Sequence, residues 1–310
     1  MLLHCCRPRG AAAAASLARA SSSAAGSSAP ASTHFGFKTV DAGAKKALVA
    51  DVFAKVADKY DLMNDVMSAG VHRLWKDEFV RMAGRVTAPA GAGAVVLDVA
   101  GGTGDVAFRV ADAMAASFVR PAAAPRIVVT DINPAMLDVG RARAKARGLE
   151  AAAARDALAP RLEWREGDAE ALDWVPDARV DLYPIAFGIR NCTSVDAVLR
   201  EAHRVLRPGG RFMCLEFSRC DVPVVAQAYE AFSFHVIPAL GAAIAGDRDS
   251  YTYLVESIRR FPAQEAFADM IADAGFAGVD YKNLTFGVAA IHSGFKLDLA
   301  KKAGAAPPLA

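Results

Sequence analysis

The stretch VVLDVAGGTGDVAFRV, residues 95–110, decides the fold. An apolar run reaches Asp98, small residues follow, and a segment of helical character closes it. Gly101, Gly102 and Gly104 leave the backbone bare where the strand gives way to the helix. Such a loop either lets a ligand pass close to the main chain or only turns a corner. The residues on either side decide between the two.

Downstream, strands and helices alternate. RIVVTDI (126–132), RLEWREGD (161–168), VDLYPIAFGI (180–189) and RFMCLEF (211–217) read as four further strands. NPAMLDVGRARAKA (133–146) reads as a helix, with Asn133 as N-cap and Pro134 at the first helical position. SVDAVLREAHRVL (194–206) is another helix, followed by the turn RPGG. Continuously apolar strands between helices predict a parallel sheet covered on both faces. GVDYKNLTF and GVAAIHSGFKL, together residues 278–297, predict an antiparallel pair at the sheet edge. Pro184 lies inside the fourth strand and marks a candidate bulge, because proline has no N–H to give a ladder. The Ala-rich insert GLEAAAARDALAP (148–160) is expected on the surface. The fold class is one doubly wound α/β domain with a helical N-terminal extension, two or three helices within residues 45–84.

Upstream, the leader is different in kind. Residues 1–34 carry Arg7, Arg9 and Arg19, many Ala and Ser, and no acid. That is the composition of an organelle transit peptide, read as disordered. Residues 35–297 form the domain, divided into N-terminal helices (35–92) and an α/β core (93–297), and residues 298–310 read as a disordered tail. Basic and acidic residues number 36 and 34, a net charge of +2, so no nucleic-acid partner is expected. Of the five cysteines, Cys5 and Cys6 lie in the leader; Cys192, Cys214 and Cys220 show no metal-ligand spacing, nor do the six histidines, and no metal is expected. No run reaches the ~18 uncharged apolar residues of a membrane span. AFSFHVIPALGAAIAG (231–246) comes nearest; it reads as a buried helix pair, or as a greasy wall, with His235 a hydrogen-bonded core histidine.

In a doubly wound sheet the ligand sits beyond the carboxyl ends of the strands. Gly102-x-Gly104-x-x-Ala107 fits a dinucleotide fingerprint, and Asp131 at the end of the second strand suits a ribose diol. A nicotinamide cofactor and S-adenosylmethionine both satisfy these two features. Three others favour S-adenosylmethionine. The Asp98 anion suits a cationic amino group and would repel a pyrophosphate. Asp168, in EGDAEAL, is placed to accept from an exocyclic amine, and the Ala169 N–H to meet an adenine nitrogen. HRVLRPGGRFMCLEF (203–217) is a helix, Pro-Gly-Gly turn and strand that recurs in class I methyltransferases. Thr103 adds a hydroxyl to the loop, and the three glycines are read as the backbone against which the cofactor lies.

The blocks FGFKTV, KYDLMNDVMSAGVHRLWKD, LDVAGGTGDVAFR, IAFGIRN, EAHRVLRPGGRFMCLEFS, YLVESIRRFP and IHSGFKL follow one another over about residues 35–297. In them the chain resembles the C-methyltransferases of ubiquinone and menaquinone biosynthesis, nearest to the mitochondrial branch. The resemblance implies a class I, Rossmann-like fold with a seven-stranded, mostly parallel sheet. It implies cofactor contacts at Thr103, Asp131, Asp168 and Ala169, and C-methylation of a 2-methoxy-6-polyprenyl-1,4-benzoquinol. It further implies a mitochondrial protein, peripheral on the matrix side of the inner membrane, within a multiprotein ubiquinone-synthesis complex. Methylation of another quinol such as a demethylmenaquinol, a non-catalytic scaffold role, and monomer or homodimer remain open alternatives.

A ring carbon becomes nucleophilic as the neighbouring phenol loses its proton, and a free phenol has a pKa of about 10. Arg190, in FGIRN after the fourth strand, is the candidate to stabilise the phenolate, with a salt bridge to an acid as the plain alternative. Arginine is too basic to take the proton itself. Asn191 is the candidate for the second oxygen, and Tyr60 a candidate to close over the site. Residues 231–246 and the helices around Met63, Val66 and Met67 are candidate walls for the polyprenyl tail.

Overall fold

The apolar half of the decisive stretch forms β3 (Val95–Val99), buried along nearly its whole length. This computed structural model describes residues 32–56, 64–65, 67–84, 93–117, 121–220 and 222–298. β3 pairs in parallel with β4 (Arg126–Asp131) on one side and β6 (Val180–Ala186) on the other. β5 (Arg161–Glu166) adds to β4, and β7 (Leu206–Phe217) to β6, again in parallel. β9 (Ala289–Phe295) joins β7 antiparallel, and β8 (Ala277–Leu284) closes that edge antiparallel to β9. The seven strands run in the order β5-β4-β3-β6-β7-β9-β8. Strand order therefore reverses between β3 and β6, where such sheets leave a crevice for ligands.

Side chains alternate across the sheet with period two, and each face has its own core. Leu97, Tyr183, Phe212 and Cys214 join Phe267 in one cluster; their neighbours Val96, Leu182, Met213 and Leu215 join Phe79 and Ile127 in the other. Each buried Val, Leu, Ile, Phe or Met among them contributes roughly 1.5–3 kcal/mol. The helices that cover these faces are α3 (Asp105–Ala115), α4 (Pro134–Ala146), α6 (Val195–Val205) and α10 (Gln264–Asp273), with α5 (Leu149–Arg155) outside them. Asn133 caps α4 by accepting from the Ala135 N–H, with Pro134 in the first turn. The Ala-rich insert is α5, which buries no residue and lies on the surface.

Three details differ from the sequence reading. FGFKTV lies not in a helix but in a hairpin of β1 (Ser32–Phe35) and β2 (Lys38–Asp41), turned at Gly36 with φ 57. The first described strand thus begins at Ser32, inside the leader as drawn from composition. Helices α1 (Ala42–Val56) and α2 (Val71–Ala83) follow. RPGG is absorbed into β7, whose pairing with β6 slips between Val180 and Leu182 rather than at Pro184. Pro184 keeps its place opposite Met213, and the recorded pairs with β3 pass from Leu182 to Ile185. Lastly, residues 231–246 are not a helix pair. After α7 (Pro223–Ala231) comes a π-helical turn (Phe232–Val236), the short α8 (Ile237–Leu240) and a second π-helical turn (Gly241–Ala245), before α9 (Arg248–Arg260). His235 is exposed on this segment and is not a core residue. No described helix is long and apolar enough to cross a membrane.

Candidate active site

The loops that leave β3 and β6 meet above the switch in strand order. Ala100 and Phe187, each just past its strand, hold φ of 49 and 56, a left-handed conformation that costs a non-glycine residue about 1 kcal/mol or more. Gly188 permits the meeting, since a Cβ there would lie 2.4 Å from the Ala100 Cβ. The glycines of the opening stretch act differently from expectation. A Cβ on Gly101 would lie 2.7 Å from Val129 Cγ1, and one on Gly104 2.5 Å from the Trp164 ring. These two admit the protein's own side chains. Gly101 and Gly102 both line the crevice, and of the two only Gly102, with φ 53 and its nearest neighbour at 3.3 Å, has a lightly covered Cβ position.

A cavity of about 120 Å³ opens over this loop, lined by Asp98, Asp131, Asp168, Ala169 and Thr103 among others. Asp98 is 1% exposed; its Oδ2 accepts from the Ala107 N–H at 3.1 Å, in the first turn of α3, while Oδ1 is buried with no partner among the described residues. Burial, with the nearby Asp105 and Asp131, pushes its carboxyl up to about 8. Asp131 accepts from the Gly102 N–H on Oδ2 and the Asn133 N–H on Oδ1, both at 2.9 Å, and burial pushes it up. Asp168 stands in a turn, where Oδ1 accepts from the Glu170 N–H. Its Oδ2 takes an ion pair from Lys46 of α1 at 2.5 Å, which raises the lysine. The Thr103 hydroxyl accepts from Arg143 at 3.1 Å. All four carboxyl and hydroxyl candidates thus face one crevice. Lys46, on the helix that roofs it, was not singled out from the sequence; only tertiary packing carries α1 there.

A second cavity of about 570 Å³ adjoins the first, sharing Phe53, Phe187 and Asn191 with it. Its walls are mostly apolar and include Met67, Phe232 and Ile237, as the tail-wall reading expected; Met63, Val66 and Tyr60 lie outside the described residues. Arg190 lines it, 6% exposed. Its Nη1 donates to the Phe187 carbonyl at 2.6 Å and to Glu216 Oε1 at 2.9 Å, and its Nε to the Ser257 hydroxyl at 3.3 Å. The salt-bridge alternative is therefore the observed geometry, yet Nη2 keeps no partner among the described residues. The Asn191 Oδ1 accepts from the Tyr253 hydroxyl at 3.0 Å, which leaves its NH₂ uncommitted. Among the described residues, two donors on adjacent positions of the cavity wall thus have no partner. Glu216, Ser257 and Tyr253 were missed in the sequence. For Glu216 a signal existed, an acid inside the apolar run of β7, and a buried acid demands a partner.

The donor set of the smaller cavity fits S-adenosylmethionine: an unpartnered carboxylate oxygen for an ammonium, a second carboxylate for a ribose diol, and a third beside a backbone N–H for an adenine edge.

The family model described as the ubiE/COQ5 methyltransferase family matches residues 40–296. A relative from Arabidopsis thaliana, named 2-methoxy-6-polyprenyl-1,4-benzoquinol methylase, mitochondrial, is 54% identical over 273 residues, covering 86% of this chain and 90% of its own. A relative from Brucella anthropi, named ubiquinone/menaquinone biosynthesis C-methyltransferase, is 51% identical over 263 residues, covering 85% and 92%. Among solved structures, a methyltransferase from Thermotoga maritima superposes with a TM-score of 0.51 at 16% identity, over 80% of this chain and 99% of that one, a likeness of fold.

Proposed function

Because the chain belongs to the ubiE/COQ5 methyltransferase family, we propose that it methylates a ring carbon of a 2-methoxy-6-polyprenyl-1,4-benzoquinol in ubiquinone biosynthesis. The observation that carries this reading is the junction of a carboxylate-lined cavity with a larger apolar one at Phe187 and Asn191. S-adenosylmethionine, when bound, supplies an activated methyl group on a sulfonium. Asp98 would hold its amino group, Asp131 its ribose, Asp168 and Ala169 its adenine, while Thr103 and Gly102 shape the loop. Arg190, fixed by three hydrogen bonds, offers Nη2 to the hydroxyl that becomes a phenolate, and the Asn191 NH₂ takes the other quinol oxygen. Both act without reorganising, and Phe53 and Phe187 keep water from the junction. The apolar wall with Phe232 and Ile237 receives the polyprenyl tail.

The same reading places the protein in the mitochondrion, peripheral on the matrix side of the inner membrane, in a multiprotein ubiquinone-synthesis complex. The mitochondrial names of relatives and the Arg-rich, acid-free leader support the compartment. The decisive experiment incubates the purified chain with labelled S-adenosylmethionine and a short-tailed, reduced quinol, then locates the methyl by mass spectrometry. The expected product carries it on ring carbon, and Arg190→Gln lowers kcat about a hundredfold, the usual loss of one preorganised donor, with cofactor affinity retained. Tight cofactor binding with no transfer would favour the scaffold role. Transfer to a demethylmenaquinol alone would assign the other quinol, which the Brucella relative's name also covers.

A further inference from the structure

The reaction proposed above needs somewhere to put the quinol hydroxyl proton, and neither Arg190 nor Asn191 accepts one. Among the described residues that line the apolar cavity, the remaining ionisable side chains are His72, Tyr229, Tyr251 and Tyr253. Phenols are proton donors here, and burial pushes Tyr229 up and Tyr253 up to about 12. That leaves one imidazole.

His72 stands in the first turn of α2 and is 5% exposed. Its Nε2 lies 2.8 Å from Asp65 Oδ1. The same carboxylate takes two bonds from Arg73, Nε to Oδ1 at 2.7 Å and Nη2 to Oδ2 at 2.6 Å, and these hold its carboxyl well below the usual range. An ionised carboxylate only accepts, so Nε2 carries the hydrogen and Nδ1 bears the lone pair. Nδ1 is buried and has no partner among the described residues. This is the arrangement of an oriented general base: an imidazole fixed in one tautomer by a carboxylate behind it, its other nitrogen uncommitted.

We propose that His72, oriented by Asp65, accepts the quinol hydroxyl proton during methyl transfer. The role rests on the quinol-methylating function argued above. The O–H bond breaks with its electron pair left on oxygen, and the proton goes to Nδ1, directly or through one water. The ring carbon's electron pair forms the new bond to methyl, and the old methyl–sulfur pair stays on sulfur. As the ring C–H proton departs to water and the ring regains its aromatic sextet, the imidazolium returns its proton to the oxygen. One proton is released overall, and no oxidant or reductant enters.

Burial lowers the His72 pKa, with the Lys76 charge acting in the same direction and Asp65 and Asp105 opposing it. Arg73, bound to Asp65, and Arg190 on the cavity wall are the other cations nearby. The base is therefore neutral at pH 7 and is lost as pH falls through its own titration.

The test uses the full chain and the quinol assay. His72→Gln keeps an amide N–H for Asp65 but has no base; kcat is expected to fall about a hundredfold or more, with the acidic limb of the pH–rate profile abolished and cofactor Kd within about twofold. Asp65→Asn removes the anion that raises the imidazole, so the acidic limb moves to lower pH, and the His72 resonance titrates lower by NMR in the cofactor-free protein. His72→Gln retaining a third or more of kcat, with its acidic limb in place, would overturn the role while leaving the methyl-transfer function standing. If His72→Gln does not bind cofactor, Asp65→Asn decides: an unmoved limb overturns the role. No transfer by the wild type would overturn the function, and this role with it.

Discussion

Asp98 does two things with one side chain. Oδ2 fastens the first turn of α3, the plain structural use of an acid beside a helix N-terminus, and Oδ1 stays buried and unpaired among the described residues. An orphaned carboxylate oxygen is costly, and a cation in the crevice removes that cost. Asp98→Asn preserves the helix bond through its amide oxygen but cannot ionise against the ammonium, so S-adenosylmethionine should bind about 10- to 100-fold more weakly by calorimetry, the range of a charge-assisted hydrogen bond. The sign of its pH effect follows from the upward shift to about 8. A carboxyl raised by folding stabilises the protonated protein, and that contribution is lost as pH rises from the ordinary carboxylate range through about 8. The Tm of the cofactor-free protein should show this loss, and Asp98→Asn should remove its share of it. The glycines teach the converse. Their number was plain in the sequence, but Gly101 and Gly104 make room for Val129 and Trp164, residues 25 or more positions away that only the folded chain brings near.

Elements that looked peripheral in the sequence complete the site. The hairpin β1–β2 carries Phe35 onto the Tyr253 ring, stacked with centroids 4.1 Å apart, and Tyr253 in turn holds Asn191. α1 reaches the same region with two lysines. Lys46 pairs with Asp168, and the fully buried Lys45 donates to the Cys192 carbonyl at 2.7 Å, next to Asn191. FGFKTV and YLVESIRRFP therefore belong to one mechanical unit around Asn191, though over two hundred residues separate them. Tyr253→Phe retains the stack and removes only the hydroxyl. It should lower kcat about 2- to 10-fold, the worth of one neutral hydrogen bond, with the KM for S-adenosylmethionine unchanged. A fall in cofactor affinity instead would show that the residue acts on the smaller cavity. The first π-helical turn and α8 carry Phe232 and Ile237 into the wall of the larger cavity, a feature that side-chain periodicity does not encode.

Over the whole molecule, a sheet with a core on each face supports crevice chemistry at one edge. His292 in β9 ties that sheet to α10. It is paired with the Gln264 carbonyl at 2.9 Å and set edge-on to Phe267, and burial holds its pKa down to about 4. The unfolded chain takes up that proton first, so stability is lost as pH falls from about 6.5 through about 4. The Tm difference between pH 7 and pH 4.5 should therefore be smaller in His292→Gln than in the wild type. The sequence by itself determined the alternation of strands and helices, the cap at Asn133, the antiparallel edge and the acids at the strand ends. These follow from local periodicity and from backbone chemistry that neighbouring residues fix. Only the tertiary structure decided that Arg190 is held by Glu216 and Ser257, that α1 roofs the crevice, and that two cavities meet at Phe187 and Asn191. Those are contacts between residues far apart in the chain, and their geometry exists only once both faces of the sheet are packed.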